Sequence, residues 1–332
     1  MPGASCPCSP ARRDQPNPVG IIGVLINAFT AFMIFRISKL RNTFGYMCAG
    51  LGIADVGLLM VFVCWSAPIT FFEYAPVLTL LNRKLGHFIL YFWFVNLYYH
   101  IFIAVNRLIA MFFPFTYRWI FSARRSQLYV ATPWILALVH MVVYFFDGCD
   151  FYFDNTTYNW TFNEETICGR NLAFYIDLIY GCTVMAVIAL IDIVTFLRLQ
   201  MYKADLAQVK SQIERKRKTR EIRFFAQARF PTSTHSLRVC FQACVTTLMF
   251  ILMLLSFHLF SKYAASKWSM FVCTTLAWEL THAANGFILL FFNSEFWELL
   301  KNPSKIIASS HESVVFVVNA RVITSTPSTL KR

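Results

Sequence analysis

Seven long, nearly uncharged apolar runs divide this 332-residue chain, at approximately 18–35, 46–72, 86–113, 127–146, 172–197, 240–260 and 268–292. A hydrocarbon core of roughly 30 Å takes about 20 apolar residues per helix, so each run is long enough to cross a bilayer. The intervals between them hold charge, proline or asparagine, and none of the runs alternates with the period of two that barrel strands show. Charged residues make up only 14% of the chain, against about 25% in soluble domains. These features predict an all-α membrane protein, a seven-transmembrane helical bundle.

An odd number of spans puts the termini on opposite sides. Lys and Arg number 7 in the segments on the N-terminal side (1–18, 73–85, 147–171, 261–267) and 23 in Arg107 and the segments on the other side (36–45, 114–126, 198–239, from 293). The positive-inside rule then predicts the N-terminus outside and the C-terminus cytoplasmic, with Arg12-Arg13 a mild exception. Two sequons, Asn155-Thr156-Thr157 and Asn159-Trp160-Thr161, fall in the fourth interval, which this topology makes extracellular, so Asn155 and Asn159 are candidate glycosylation sites. Residues 1–17 form an extracellular tail with no apolar core, so the first span is expected to act as the insertion signal. The membrane domain covers 18–300 and ends in a short amphipathic helix. A cytoplasmic tail, 301–332, is expected to be disordered, with a phosphorylatable STPSTL cluster.

The third run ends in AVNRLIAMFFPFTYRWIF, residues 104–121. Asn106 precedes Arg107, Pro114 follows the arginine by seven residues and Tyr117 by ten. A buried arginine keeps its charge and has a directional fork of donors, so it can lock to polar groups in one state and be freed in another. The plainer alternative is an arginine that snorkels to lipid phosphate and anchors its helix. In the second run, Leu51 to Asp55 reads LxxAD, and a carboxylate at that depth must face the bundle interior and pair with polar groups or an ion. Otherwise Asp55 is a protonated acid that only joins helices. A sodium ion near Asp55 is the candidate cofactor, and Asn27, Asp55, His100 and Asn285 form the candidate intramembrane polar network.

These spacings resemble those of rhodopsin-like G-protein-coupled receptors. Residues 285–297, NGFILLFFNSEFW, resemble that class's NPxxY motif, with Asn285, Phe292, Asn293, Glu295 and Phe296 in register. Gly286 replaces the proline and Leu289 the tyrosine, so the tyrosine switch is not carried over. The sixth run has no CWxP, whereas the fourth supplies Trp134. No lysine lies inside any span, so the chain is not an opsin.

Within that class the chain resembles the nematode serpentine receptor class X family. The resemblance rests on LRNTFG (40–45), HIFIAVNR (100–107), PFTYRWIFS (114–122), EIRFFAQA (221–228) and HAANGFILLFFNSEF (282–296), in that order, and extends over 19–300. It implies a chemosensory receptor in the membrane of sensory neurons or their cilia. Such a receptor binds a small molecule in the outer half of the bundle and activates a heterotrimeric G protein. It assigns the switch role to Asn106, Arg107, Pro114 and Tyr117.

No cysteine stands at the outer end of the third span. The fourth interval instead holds Cys149 and Cys168, which are expected to bond to each other and tie the loop into a lid, with Cys6 and Cys8 as competing partners. Ligand-binding candidates are Asn96, Asp177, Trp278, Glu279 and His282, with Tyr91, Trp93, Tyr98, Tyr175 and Tyr180 as further aromatics on the same spans. Glu279 and His282, three residues apart, share a helix face. The basic run RKRKTR, 215–220, is placed against anionic inner-leaflet lipid and the G protein rather than nucleic acid. RFPTSTHSLRV, 229–239, reads as an insertion in which Pro231 breaks the approach to the sixth helix.

Other functions fit less well. A transporter should show repeated halves with broken helices, and the first and last thirds show no repeat. An insect-type odorant channel has its N-terminus inside. Asp177 and Asp192 lie fifteen residues apart on one helix, at opposite depths, so they cannot act on one bond. Glu279 with His282 offers a metal two ligands and no third. An enzyme is therefore not expected; a ligand-gated ion channel or transporter-like protein is the remaining alternative.

Overall fold

The computed structural model of the chain describes residues 17–71, 76–215, 233–293 and 296. Residues 1–16 with Cys6, Cys8 and Arg12-Arg13, residues 216–220 of the basic run, Pro231, Glu295, the end of the short helix expected before 300, and the 301–332 tail lie outside them.

Seven helical segments follow one another in the expected order. The first helix, Pro18–Arg36, starts at Asn17, whose side chain accepts from Gly20 N at 3.2 Å, with Pro18 in the first turn where no amide is needed. The second, Thr43–Val61, is capped by Asn42 and continues through a π-helical turn, Phe62–Ser66, into Ala67–Phe71. The third, Thr79–Phe112, is 34 residues long. Its start lies ahead of the apolar run because Arg83 and Lys84 end the apolar pattern without ending the helix. Arg83 reaches Asp150 at 3.3 Å and Lys84 covers the Phe145 ring. A short helix, Pro114–Ile120, precedes the fourth, Ala123–Met141. The fifth runs through Ile167–Asn171, a π-helical stretch Leu172–Tyr180, and Gly181–Arg215. The sixth is Ser233–His258. The second half of the stretch read as an insertion is therefore the start of this helix rather than a separate loop. The seventh consists of Lys267–Phe271, a π-helical turn Val272–Leu276, and Ala277–Phe292.

Six of these segments are long and apolar enough to cross a membrane by length and composition. The seventh is less apolar because its buried face carries Thr274, Thr275, Glu279, Thr281, His282 and Asn285. Outward-facing positions on other helices, such as Leu25, Phe32, Leu138, Val139 and Leu190, are large apolar groups left exposed, as a lipid-facing surface requires. The first, second and seventh helices pack closely. A Cβ added at Gly286 would come 2.6 Å from Ile26 Cγ2 and 2.9 Å from Asn27 Oδ1. The glycine in place of the expected proline is what lets the seventh helix approach the first.

One departure from an all-helical fold caps the bundle. The interval between the fourth and fifth helices folds into a hairpin of β1 (Phe151–Asp154) and β2 (Asn159–Phe162), antiparallel, with Phe151 opposite Phe162 and Phe153 opposite Trp160. Every second residue, Phe151, Phe153, Trp160 and Phe162, is buried against the bundle. Asp154 receives Thr156 N at 2.9 Å in the turn, and Tyr158 supplies the positive φ of 59° that closes it. The expected Cys149–Cys168 disulfide is present, with Cα atoms 5.1 Å apart, and ties the hairpin to the start of the fifth helix.

Candidate functional site

Three clusters lie along the bundle axis. The first is the seat of the hairpin. Asn82, near the start of the third helix, is buried and donates to Phe153 O at 2.9 Å while accepting from Phe153 N at 3.1 Å and from Trp65 Nε1 at 2.8 Å. Trp160 Nε1 donates to Ser66 Oγ at 3.0 Å, and Thr275 Oγ1 to Tyr158 O at 2.9 Å. At Gly86 a Cβ would overlap Phe151 O, so only glycine lets the strand lie across the third helix. Asn82 thus anchors the hairpin at the helix end that has no cysteine. Asn82→Ala would leave the Phe153 amide and carbonyl buried and unpaired, at a cost of about 2 kcal/mol. Faster cleavage within 151–162 under limited proteolysis is the expected readout, and unchanged cleavage would contradict the anchor.

Beneath the hairpin is a cavity of about 310 Å3, its open mouth included, lined by residues of the third, fifth, sixth and seventh helices and by Phe151. Of the ligand candidates, Asp177 and Trp278 line it; Trp93 joins them and His258 is an addition. Asn96 is fully buried beside Asp55. Tyr175 is exposed on the outer surface of the bundle. Tyr98 and Tyr180 bond to each other at 3.2 Å, and Tyr98 to His140 Nδ1 at 3.0 Å, between the third, fourth and fifth helices. Tyr91 packs on Trp134.

The second cluster centres on Asp55. His282 Nδ1 lies 2.6 Å from Asp55 Oδ1, Asn285 Nδ2 donates to Oδ2 at 3.1 Å, and Trp278 Nε1 donates to His282 Nε2 at 3.0 Å. Asn27 Nδ2 donates to His282 O at 3.1 Å and to Gly23 O. Asp55 and His282 have no solvent exposure. His100 packs on Phe250, and its Nε2 has no hydrogen-bond partner among the described residues. The structure separates the expected pair of Glu279 and His282. His282 faces the second helix, whereas Glu279, a turn away, accepts from Asn17 Nδ2 at 2.5 Å at the start of the first helix. A sodium ion wants oxygen ligands, whereas the partners of the Asp55 carboxylate are nitrogens of His282 and Asn285. That donor set does not suit the ion. Among the described residues no group of three or more His, Cys, Asp or Glu could hold a metal.

The third cluster holds Arg107, 25 residues along the third helix from Asn82 and so about 37 Å further down the axis. Arg107 Nη2 donates to Asp192 Oδ1 of the fifth helix at 2.6 Å, and Thr247 Oγ1 of the sixth donates to Asp192 Oδ2 at 2.8 Å. The side chains are 14% and 3% exposed, so the pair is shielded from water. Asp192 therefore ties three helices together through its two oxygens. Asn106 is not part of this tie. Its Nδ2 donates to Tyr117 OH at 3.4 Å and holds the short helix that Pro114 begins. A cavity lined by Asn27, Asp55, His100, Arg107, Thr247 and Asn285, among others, joins the second and third clusters.

Asn82, Asp192, Thr247, His258 and Asn17 are site residues that the sequence did not single out in these roles. The one available signal was their being polar or charged within or beside apolar runs.

Seven helices with a buried carboxylate in the second, an arginine at the end of the third and a polar face on the seventh define a rhodopsin-like receptor fold. The crystal structure of squid rhodopsin superposes with a TM-score of 0.63 over 88% of this chain and 83% of that one, at 13% identity. Sequence narrows the class. Residues 18–293 match the family described as serpentine type 7TM GPCR chemoreceptor Srx. Serpentine receptor class X 45 of Caenorhabditis elegans is 26% identical over 288 residues, 86% of this chain and 79% of that one. The chain belongs to the Srx family of serpentine chemoreceptors and is a multi-pass integral membrane protein.

Proposed function

We propose that this chain is a chemosensory receptor that binds a small molecule in the cavity under the hairpin and activates a heterotrimeric G protein at the opposite end of the bundle. The hairpin end faces outward and the Arg107 end the cytoplasm, as the 7 against 23 distribution of basic residues supports. Asn155 and Asn159, at the hairpin turn and the start of β2, then face the compartment in which sequons are glycosylated. The plasma membrane of sensory neurons or cilia is the expected location.

The observation that carries this reading is the tie of Arg107 to Asp192 and Thr247 across the third, fifth and sixth helices. Two cavities and the Asp55 cluster connect it to the hairpin. A ligand that shifts Trp278 acts on His282, to which Trp278 is bonded, and through His282 on Asp55. Release of the arginine at the far end would expose a cationic group to the G protein.

The test is ligand-evoked G-protein activation, using pools of small polar and volatile molecules, in cells displaying the wild-type chain or Arg107→Ala at matched surface levels. A response in the wild type that Arg107→Ala loses is expected. Ion flux without G-protein activation would favour the ligand-gated channel instead.

A further inference from the structure

Asp177 faces the cavity from the π-helical stretch of the fifth helix, and its Oδ2 lies 3.7 Å from His258 Nε2 on the sixth. That separation is too long for a hydrogen bond. His258 Nε2 is buried and has no hydrogen-bond partner among the described residues. Around the two groups stand Trp93, Phe257, Trp278 and Phe151. Trp93 and Phe257 both meet Trp278 edge to face, with ring centres 5.7 and 6.2 Å from it. No lysine or arginine lines this cavity among the described residues. An acid in an apolar site needs a counter-charge, and here the protein supplies one ring nitrogen at the outer edge of ion-pair distance, charged only when protonated, and a set of aromatic rings.

Resting on the receptor reading above, we infer that the cavity takes a small organic ammonium ion, a primary or secondary amine on a compact apolar body. A protonated primary or secondary amine carries at least two N–H groups. One can donate to Asp177 Oδ2 and another to the lone pair of a neutral His258 Nε2, so one group satisfies both. The rings of Trp93, Phe257 and Trp278 then surround the charge, an arrangement that favours cations through the ring quadrupole. An alcohol has one proton to give and leaves the acid without a counter-charge. A carboxylate would place a second negative charge beside the first.

The test is equilibrium dialysis of the full-length chain in lipid nanodiscs against three matched compounds, 2-phenylethylamine, 2-phenylethanol and phenylacetate, with butylamine and butanol as a smaller pair. Amine binding is expected to exceed alcohol binding by about tenfold or more, with phenylacetate weakest. Asp177→Asn should abolish the preference and Asp177→Glu retain it. His258→Phe leaves the acid in place and removes the acceptor, and should weaken amine binding about threefold to tenfold. Equal binding of amine and alcohol, amine binding unchanged in Asp177→Asn or in His258→Phe, or no amine bound by the folded wild type would each overturn the inference. The assay contains no G protein. Amines bound without nucleotide exchange would therefore count against the receptor reading alone, and exchange driven by other compounds with amines unbound would count against this inference alone.

Discussion

Asp192→Asn is expected to raise ligand-independent G-protein turnover by on the order of a hundredfold. The figure follows from the energy of a charge-assisted contact shielded from water, about 3 kcal/mol, which is about a hundredfold in the balance between tied and released states. Asparagine keeps the size of the side chain and one acceptor for Thr247 but removes the charge that holds Arg107 at 2.6 Å. The loss of fold stability should be smaller than the change in activity. Arg107 is 14% exposed and lies near the end of its span, so its long side chain can extend toward the lipid headgroups once freed. Basal nucleotide exchange normalised to surface amount measures the first effect, and the unfolding temperature in nanodiscs the second. Basal exchange no higher than wild type in a well-folded Asp192→Asn variant would mean that the contact only packs helices.

Asp55→Ala should act on stability instead, at a cost of about 3 kcal/mol or more. A single interhelical hydrogen bond in a membrane protein is worth only about 0.6 kcal/mol on average, so one lost contact would not suffice. Asp55 is different because its removal strands several groups at once. His282 Nδ1 and Asn285 Nδ2 lose their acceptor in a site with no solvent exposure. Trp278 then holds an imidazole with nothing opposite it. Asp55→Asn keeps an acceptor and should cost about 1 kcal/mol. Surface delivery and the unfolding temperature should therefore fall in the order wild type, Asp55→Asn, Asp55→Ala. Equal values for all three would show that the cluster is not what joins the second and seventh helices.

The spans were legible in the sequence because lipid imposes a demand that composition alone can meet, a long apolar run per crossing. Arg107 and Asp55 were legible for the converse reason, since a charge inside such a run stands out and must be paired. Their partners were not. That Arg107 meets Asp192, or that His282 meets Asp55 rather than joining Glu279, depends on how helices are rotated about their axes, and a periodicity of 3.6 leaves a wide face for each residue. Helix ends are less legible where charge interrupts the apolar pattern inside a helix, as at Arg83 and Lys84 in the third helix, which starts at Thr79. The hairpin left a weak trace. FYFD and NWTF alternate buried and half-buried positions, but four residues are too few to separate a strand from a loop. Asn82 left none, because its role is to satisfy the backbone of a strand 71 residues away.

In the proposed receptor, the contact of Arg107 with Asp192 and Thr247 holds the third, fifth and sixth helices together at the G-protein end, and its release activates the receptor. The distance between spin labels at Phe112 on the third helix and Phe241 on the sixth, both exposed on the outer surface, tests it most directly. The wild type in nanodiscs should give one short, narrow distribution, and Asp192→Asn a longer, broader one without any ligand. Identical distributions in the two proteins, with basal exchange raised in the variant, would contradict the account, because activity would then have changed while the helices stayed together.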